Sequence, residues 1–281
     1  MNPVKMEIRF LGTGTSQGVP VIACHCDVCT SSDSRDRRLR SAILVEEAGK
    51  CFTIDAGPDF RQQMLREKIE HLDFVLLTHE HKDHIAGMDD IRSFNFAQHM
   101  SMPIYANART CAAVKREYAY VFEEHKYPGV PAFSLHTVDN RAFTVQGIKI
   151  QPIQVMHLNL PILGYRIGKM AYITDASHIA EEEQEKLQDL ELLILDALRM
   201  EKHYSHFNLA EALEMVGRLH PRRALFTHIG HGMGLHAAVN KTLPSNVQLA
   251  YDGLRIHIDD PDTPQEEAGK GGMEFNGALI Q

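Results

Sequence analysis

The chain has 281 residues, 44% of them apolar and 23% charged, a composition that excludes collagen-like repeats and bulk disorder and leaves room for one large or two small domains. Its 37 Asp and Glu outnumber 29 Lys and Arg, and the net charge of −8 repels nucleic acid and anionic membranes, favouring a small substrate over a polymer. No apolar run approaches the ~20 residues of a membrane helix, and residues 1–12 lack the apolar core of a secretory signal, so a cytoplasmic protein without membrane contact is expected.

Met6 to Leu11 alternates as a strand does, and Gly12-Thr13-Gly14-Thr15-Ser16-Gln17-Gly18 follows as a turn-rich loop. Gln17 stands where a dinucleotide fingerprint needs glycine, and no Gly-Lys-Ser/Thr follows, so neither NAD nor ATP is expected. Three of the five cysteines then crowd into Cys24-His25-Cys26-Asp27-Val28-Cys29. The odd total argues against a disulfide framework, whereas three soft thiolates need only one more ligand to close a tetrahedral zinc site. His231, three residues past His228, is the best fourth.

Short apolar runs recur at 41–45, 51–55, 74–78, 149–155, 170–174, 192–196, 223–227, 248–251 and 254–258. Helical stretches at 58–68, 110–122, 181–190 and 208–219 lie between some of them, which predicts a mixed α/β class. In the last stretch Asn208 and Glu211 approximate a capping box, so His206 sits just before a helix start. No linker splits the chain, and one domain over 1–258 is expected. From residue 259 the composition is too polar to fold, which predicts a mobile tail over 259–281; docking of Phe275–Ile280 on a second subunit of a homodimer is the competing view.

Thr78-His79-Glu80-His81-Lys82-Asp83-His84 directly follows the apolar run Phe74–Leu77, so potential metal ligands project from a strand's C-terminal end, a common place for sites in α/β proteins. In extended backbone His79 and His81 point the same way, while Asp83 and His84 lie beyond a turn and can serve an adjacent position. Two ions could be held there. The helical zinc-protease motif fails, because its second histidine would fall on Asp83.

This segment resembles the metallo-β-lactamase superfamily, whose His-x-His-x-Asp-His pattern it matches at each specified position; Val155-Met156-His157, Ile173-Thr174-Asp175 and Phe226-Thr227-His228 supply the pattern's later members in order. The resemblance covers nearly all of residues 6–258. It implies an αββα four-layer sandwich with a dinuclear site on one edge. By position, His79, His81 and His157 would hold one metal, Asp83, His84 and His228 the other, and Asp175 would bridge, with Asp55 as a carboxylate orienting the ligand loop. A carboxylate bridge tolerates Mn²⁺ as well as Zn²⁺. His206 resembles the histidine that phosphodiesterases of the superfamily use as general acid, with His203 as its rival. The cysteine lobe at 20–40, with Cys24, Cys26, Cys29 and His231, looks like the structural Zn²⁺ site of PhnP-type phosphodiesterases. Asp55–Arg61 and Gly87–Arg92 also resemble that family, and Arg61 or Arg92 could contact substrate phosphate.

Two divalent ions about 3.5–4 Å apart can bridge a hydroxide and stabilise attacking and leaving oxygens at phosphorus. The function that the resemblance implies is hydrolysis of a small phosphodiester, such as a cyclic ribose phosphate, with Asp83 and His206 in the catalytic set. A tRNA 3′-processing nuclease is the first alternative. The 17 residues between His157 and Asp175 are too few for its tRNA-gripping arm, and the acidic net charge adds a further objection. A metal- or ligand-binding relative without turnover is the second.

Overall fold

The structure, a computed structural model, describes residues 5–259; the expected mobile tail lies, from residue 260 onward, outside the described residues. The first half of the chain runs β1 (Lys5–Gly12), β2 (Ala42–Glu47), β3 (Lys50–Ile54), α1 (Phe60–Glu67), β4 (Phe74–Leu76), α2 (Lys82–Ile85), α3 (Arg92–Gln98), β5 (Met102–Ala106), α4 (Ala108–Glu117) and β6 (Phe133–Thr137). The second half runs β7 (Phe143–Val145), β8 (Ile148–His157), β9 (Leu160–Ile167), β10 (Met170–Ile173), α5 (Glu181–Glu185), β11 (Leu192–Asp196), α6 (Leu209–Leu219), β12 (Arg223–Thr227), α7 (His236–Asn240) and β13 (Val247–Leu249). β14 (Arg255–Asp259) then returns to pair antiparallel with β1. Two seven-stranded sheets result, ordered β14-β1-β2-β3-β4-β5-β6 and β13-β12-β11-β10-β9-β8-β7.

Strand periodicity explains why the sheets stack. Phe10, Ile43, Phe52 and Phe74 from the first sheet and Ile150, Tyr165, Tyr172, Ile194 and Leu225 from the second form one buried cluster between them. The opposite face of the first sheet packs Leu44, Val75 and Ile104 against Phe60 and Met64 of α1, Phe94 of α3 and Val114 of α4. The opposite face of the second packs Ala171, Leu193 and Phe226 against Ala212, Met215 and Val216 of α6. Three apolar layers therefore separate four layers of structure, helix on sheet on sheet on helix, as expected from the sequence. Being buried on both faces, β11 reads Leu-Leu-Ile-Leu without alternation.

Direction places the site. β3, β4 and β5 run parallel, as do β10, β11 and β12, and β8 joins the latter direction through two antiparallel steps by way of β9. The loops that leave β3, β4, β8, β10, β11 and β12 gather at one edge of the sandwich.

Candidate metal centre and active site

Each candidate side chain stands at or just past a strand end. Asp55 follows β3, residues 78–84 follow β4, His157 closes β8, Asp175 lies two residues past β10, Asp196 closes β11 and His228 follows β12. Asp55, Asp175 and His228 have positive φ angles of 71°, 57° and 56°, so the chain turns left-handed as it leaves each strand. Asp and His tolerate this region better than most residues, and here it redirects their side chains out of the strand's alternation.

The redirected groups converge. Ligand atoms of Asp83, His84, Asp175 and His228 all lie within 4.8 Å of one another, as do those of His157, Asp175 and His206, with Asp175 common to both groups. Asp175 Oδ2 is 3.2 Å from His84 Nε2 and 3.1 Å from His228 Nδ1, and Asp83 Oδ2 is 3.2 Å from His84 Nε2. On the neighbouring side the rings of His79, His81 and His157 sit 4.6, 5.1 and 5.7 Å apart, centroid to centroid. All seven predicted ligands are thus brought to one place.

Hydrogen bonds fix how these rings face. His84 Nδ1 is 2.7 Å from Asp55 Oδ2, and Asp55 in turn accepts the Thr78 backbone N–H and hydroxyl. His79 Nδ1 lies 3.0 Å from that same Thr78 hydroxyl, and His157 Nδ1 donates to the Ser205 carbonyl at 2.9 Å. Asp55 thus ties the His84 ring to the start of the segment 78–84. The anchoring leaves His79 Nε2 buried with no hydrogen-bond partner and turns His84 Nε2 toward the Asp83 and Asp175 carboxylates. A buried polar atom is rarely left so, and a cation among these nitrogens and carboxylates would satisfy it; the mixed imidazole and carboxylate set suits Zn²⁺ or Mn²⁺.

Electrostatics prepares most of the groups for a metal. Burial alone would raise the Asp175 carboxyl, but the His228 and His84 imidazoles hold it well below the usual range. Asp83 is likewise held down against its burial, by His84. Burial pushes His79 well below the ordinary histidine value and His228 down to about 4. Ionised carboxylates and neutral imidazoles are the forms that ligate. For His84, burial is outweighed by Asp83, Asp175 and Asp55, which raise it, so it would have to give up a proton to ligate a metal.

His206 stacks on His228 with centroids 4.9 Å apart and planes at 15°, and lies 4.7 Å from the His157 ring. Its Nδ1 is 3.6 Å from Asp196 Oδ2 and 3.9 Å from Asp175 Oδ1. Against its burial, Asp196 and Asp175 raise the imidazole, while burial pushes the Asp196 carboxyl up to about 6. Sequence reasoning misses Asp196. Its signal is a carboxylate at the end of an apolar strand, the same signal that marks Asp55 and Asp175. His203, the rival, is only half-buried and has its Nδ1 3.2 Å from the Ser205 hydroxyl.

The cysteine lobe closes on the predicted fourth partner: the Cys24, Cys26 and Cys29 sulfurs lie 3.3, 3.4 and 3.6 Å from His231 Nδ1. The Cys29 backbone N–H, with His231, lowers the Cys26 thiol to about 6, favouring the thiolate that binds metal. The loop leading to the lobe is laced to the His228 loop by Thr15 N–H to the Ile229 carbonyl and Ile229 N–H to the Thr13 carbonyl. The Thr15 hydroxyl is 3.2 Å from His228 Nε2.

The two expected substrate arginines stand on α1 and α3. Arg92 ion-pairs with Asp89 at 3.2 Å, one turn back on its own segment. Arg61 lines a groove between α1 and α3 with Glu70, Asp90 and Phe94, none of them a predicted ligand. The two segments that carry these arginines meet for a backbone reason: a Cβ on Gly57 would fall 2.0 Å from the Asp83 carbonyl oxygen, and one on Gly87 would fall 1.9 Å from that of Gly57.

Comparison with known proteins agrees with this architecture. A family model described as Beta-lactamase superfamily domain matches residues 51–229. A diphosphatase from the PhnP family is similar in structure with a TM-score of 0.85 and 40% identity, over 90% of this chain and 97% of that one. Zn²⁺-bound PqqB from Methylobacterium extorquens has the same fold, with a TM-score of 0.73 at 21% identity over 89% of this chain and 99% of the other. An octanoyltransferase of Porphyromonas gingivalis (strain ATCC BAA-308 / W83) is 41% identical over 258 residues, which are 91% of this chain and 52% of that protein. The chain spans about half the length of the curated relatives it matches most strongly. A family match over more than half the chain and a 40% identical relative covered almost end to end make this chain a member of the beta-lactamase superfamily, within its PhnP family of metallo-hydrolase fold.

Proposed function

We propose that this chain is a dinuclear metal-dependent phosphodiesterase acting on a small phosphodiester, with a cyclic ribose phosphate as one such substrate. The observation that carries the reading is the buried Asp175 carboxylate shared by two ligand groups, beside a buried His79 Nε2 that has no hydrogen-bond partner. His79, His81 and His157 would hold one ion and Asp83, His84 and His228 the other, with Asp175 to both, as Mn²⁺ or Zn²⁺. Bound there, two divalent ions supply Lewis-acid stabilisation of phosphoryl oxygens and an activated water. Cys24, Cys26, Cys29 and His231 would hold a third, structural Zn²⁺.

The protein's own groups do the rest. Attack on phosphorus breaks the bond to the leaving oxygen, and an alkoxide leaving from a diester needs a proton as it departs. His206 is placed to give it, held beside the ligands by its stack on His228 and by Asp196, which favours the protonated ring. Asp55 keeps the His84 ring turned so that Nε2, not Nδ1, faces the centre.

A second reading, cleavage of a phosphate–phosphate linkage, is favoured by the 40% identity to a PhnP-family diphosphatase. Phosphate leaves without needing a proton, so the two readings make different demands on His206. The name octanoyltransferase belongs to a relative about twice as long as the segment it shares with this chain. The experiment compares His206→Ala with wild type on a methyl phosphodiester and on one with a 4-nitrophenyl leaving group. The reading expects roughly a 10²–10⁴-fold loss on the methyl ester, a much smaller loss on the nitrophenyl ester, and unchanged metal content. Wild-type rates on both would remove His206 as the acid. Turnover of diphosphates with none of any diester would replace the first reading with the second.

A further inference from the structure

Beside the metal centre two large side chains are exposed where a closed site would bury them. Tyr204 has 72% of its surface open to solvent and Leu158 has 48%. Scattered apolar residues on a surface need no explanation, but these two are neighbours by construction. Leu158 follows His157, Tyr204 precedes Ser205, and the His157 ring donates to the Ser205 carbonyl. Both therefore stand on one lip of the site.

The backbone under Leu158 adds to the argument. β8 and β9 pair through His157 and Leu160, so Leu158 and Asn159 form a two-residue hairpin turn, and Leu158 takes a φ of 54°. Glycine or asparagine adopts that conformation at little cost, whereas leucine does not. A residue in that conformation that also sends an apolar side chain into water gains from a contact that covers it.

On the other side of the contact, the Tyr204 ring lies on His203 with centroids 4.4 Å apart and planes at 28°. His203 is 5.3 Å from His206, which stacks on His228. Rings thus lead without a gap from solvent to the proposed general acid and on to a metal ligand, and the remaining face of Tyr204 is open.

We infer that this lip binds a planar heteroaromatic group of the nucleobase class, carried by the leaving-alcohol side of the substrate. The assignment to the leaving side rests on the proposed role of His206; the stacking itself does not. A flat ring there is held by Tyr204 with Leu158 at its edge, in the sequence-tolerant manner of aromatic stacking.

Isothermal titration of the metal-loaded protein with adenosine 5′-phosphate and with ribose 5-phosphate isolates the base, since the two differ in nothing else of consequence. Wild type is expected to bind the adenosine compound about tenfold more tightly, Tyr204→Ala to lose that preference, and Tyr204→Phe to keep it. Equal affinity in wild type, or a preference that survives Tyr204→Ala, overturns the inference. The methyl esters of the same two compounds give the kinetic arm, in which Tyr204→Ala raises KM for the adenosine ester and not for the ribose ester. A base preference in binding with no turnover of either ester would support the lip and contradict the phosphodiesterase reading.

Discussion

In the proposed reaction, the proton for a leaving alkoxide turns on the distance between two side chains, His206 Nδ1 and Asp196 Oδ2, 3.6 Å apart and both buried. Asp196 is pushed up to about 6 by burial, and once ionised it favours the protonated imidazole. The sign follows: general-acid activity fades as pH rises through the His206 pKa, and removing the carboxylate moves that loss to lower pH. Asp196→Asn should therefore shift the basic limb of the kcat profile downward and cost about ten- to a hundredfold in kcat, measured on an alkyl diester. The proposed ligands are legible in the sequence, because strand-end imidazoles and carboxylates follow one another in a fixed order along the chain. Asp196 is not, since one aspartate ending one strand is also an ordinary turn former, and only the fold carries residue 206 back to it. Arg61 and Arg92 are singled out by the segments that carry them, and what the structure adds is that glycines hold those two segments together.

Those glycines explain how a four-residue helix, α2, can hold two ligands in place. Gly57 and Gly87 let the turn after β3 lie against the backbone of Asp83, and the Ala56 N–H donates to the His84 carbonyl while the Gly87 N–H donates to the Ala56 carbonyl. A methyl group at residue 87 has no space, so the two backbones must part. Gly87→Ala should weaken Mn²⁺ binding, read by titration of metal-free protein, at least tenfold, the order that disturbed support of a ligand typically costs. Among the other elements α6 is legible, because its apolar stripe and its Asn208–Glu211 capping box are local signals. β9 is not, because Pro161 and Gly164 argue against a strand. Gly164 is there because a Cβ would fall 2.8 Å from the Tyr172 carbonyl oxygen of the neighbouring strand, and Pro161 sits at the hairpin end opposite Met156. Pro103 hides β5 in the same way, and α5 stops after Glu185, short of the stretch to 190 that its composition suggests.

Two sheets that share one apolar layer still need their site edges tied, and much of that work falls to the segment between β1 and β2. Buried Arg38 donates to the Thr13 hydroxyl and the Ala250 carbonyl, and its other amino group is 3.2 Å from His236 Nδ1. Burial, with Arg38 and Arg35, pushes His236 down to about 4 from its ordinary 6.5. The unfolded chain then takes up a proton as pH falls below about 6.5, while the folded one does not until about 4, so this group's contribution to stability is complete above 6.5 and is lost on acidification. Urea midpoints measured from pH 7.5 to 5 at fixed metal concentration should fall more steeply for wild type than for His236→Gln.

Whether this edge holds two ions is answered most directly by anomalous scattering from crystals grown with Mn²⁺. Two peaks about 3.5–4 Å apart are expected, one among His79, His81 and His157, the other among Asp83, His84 and His228, with Asp175 reaching both. A single peak, or manganese bound away from Asp175, would contradict the account.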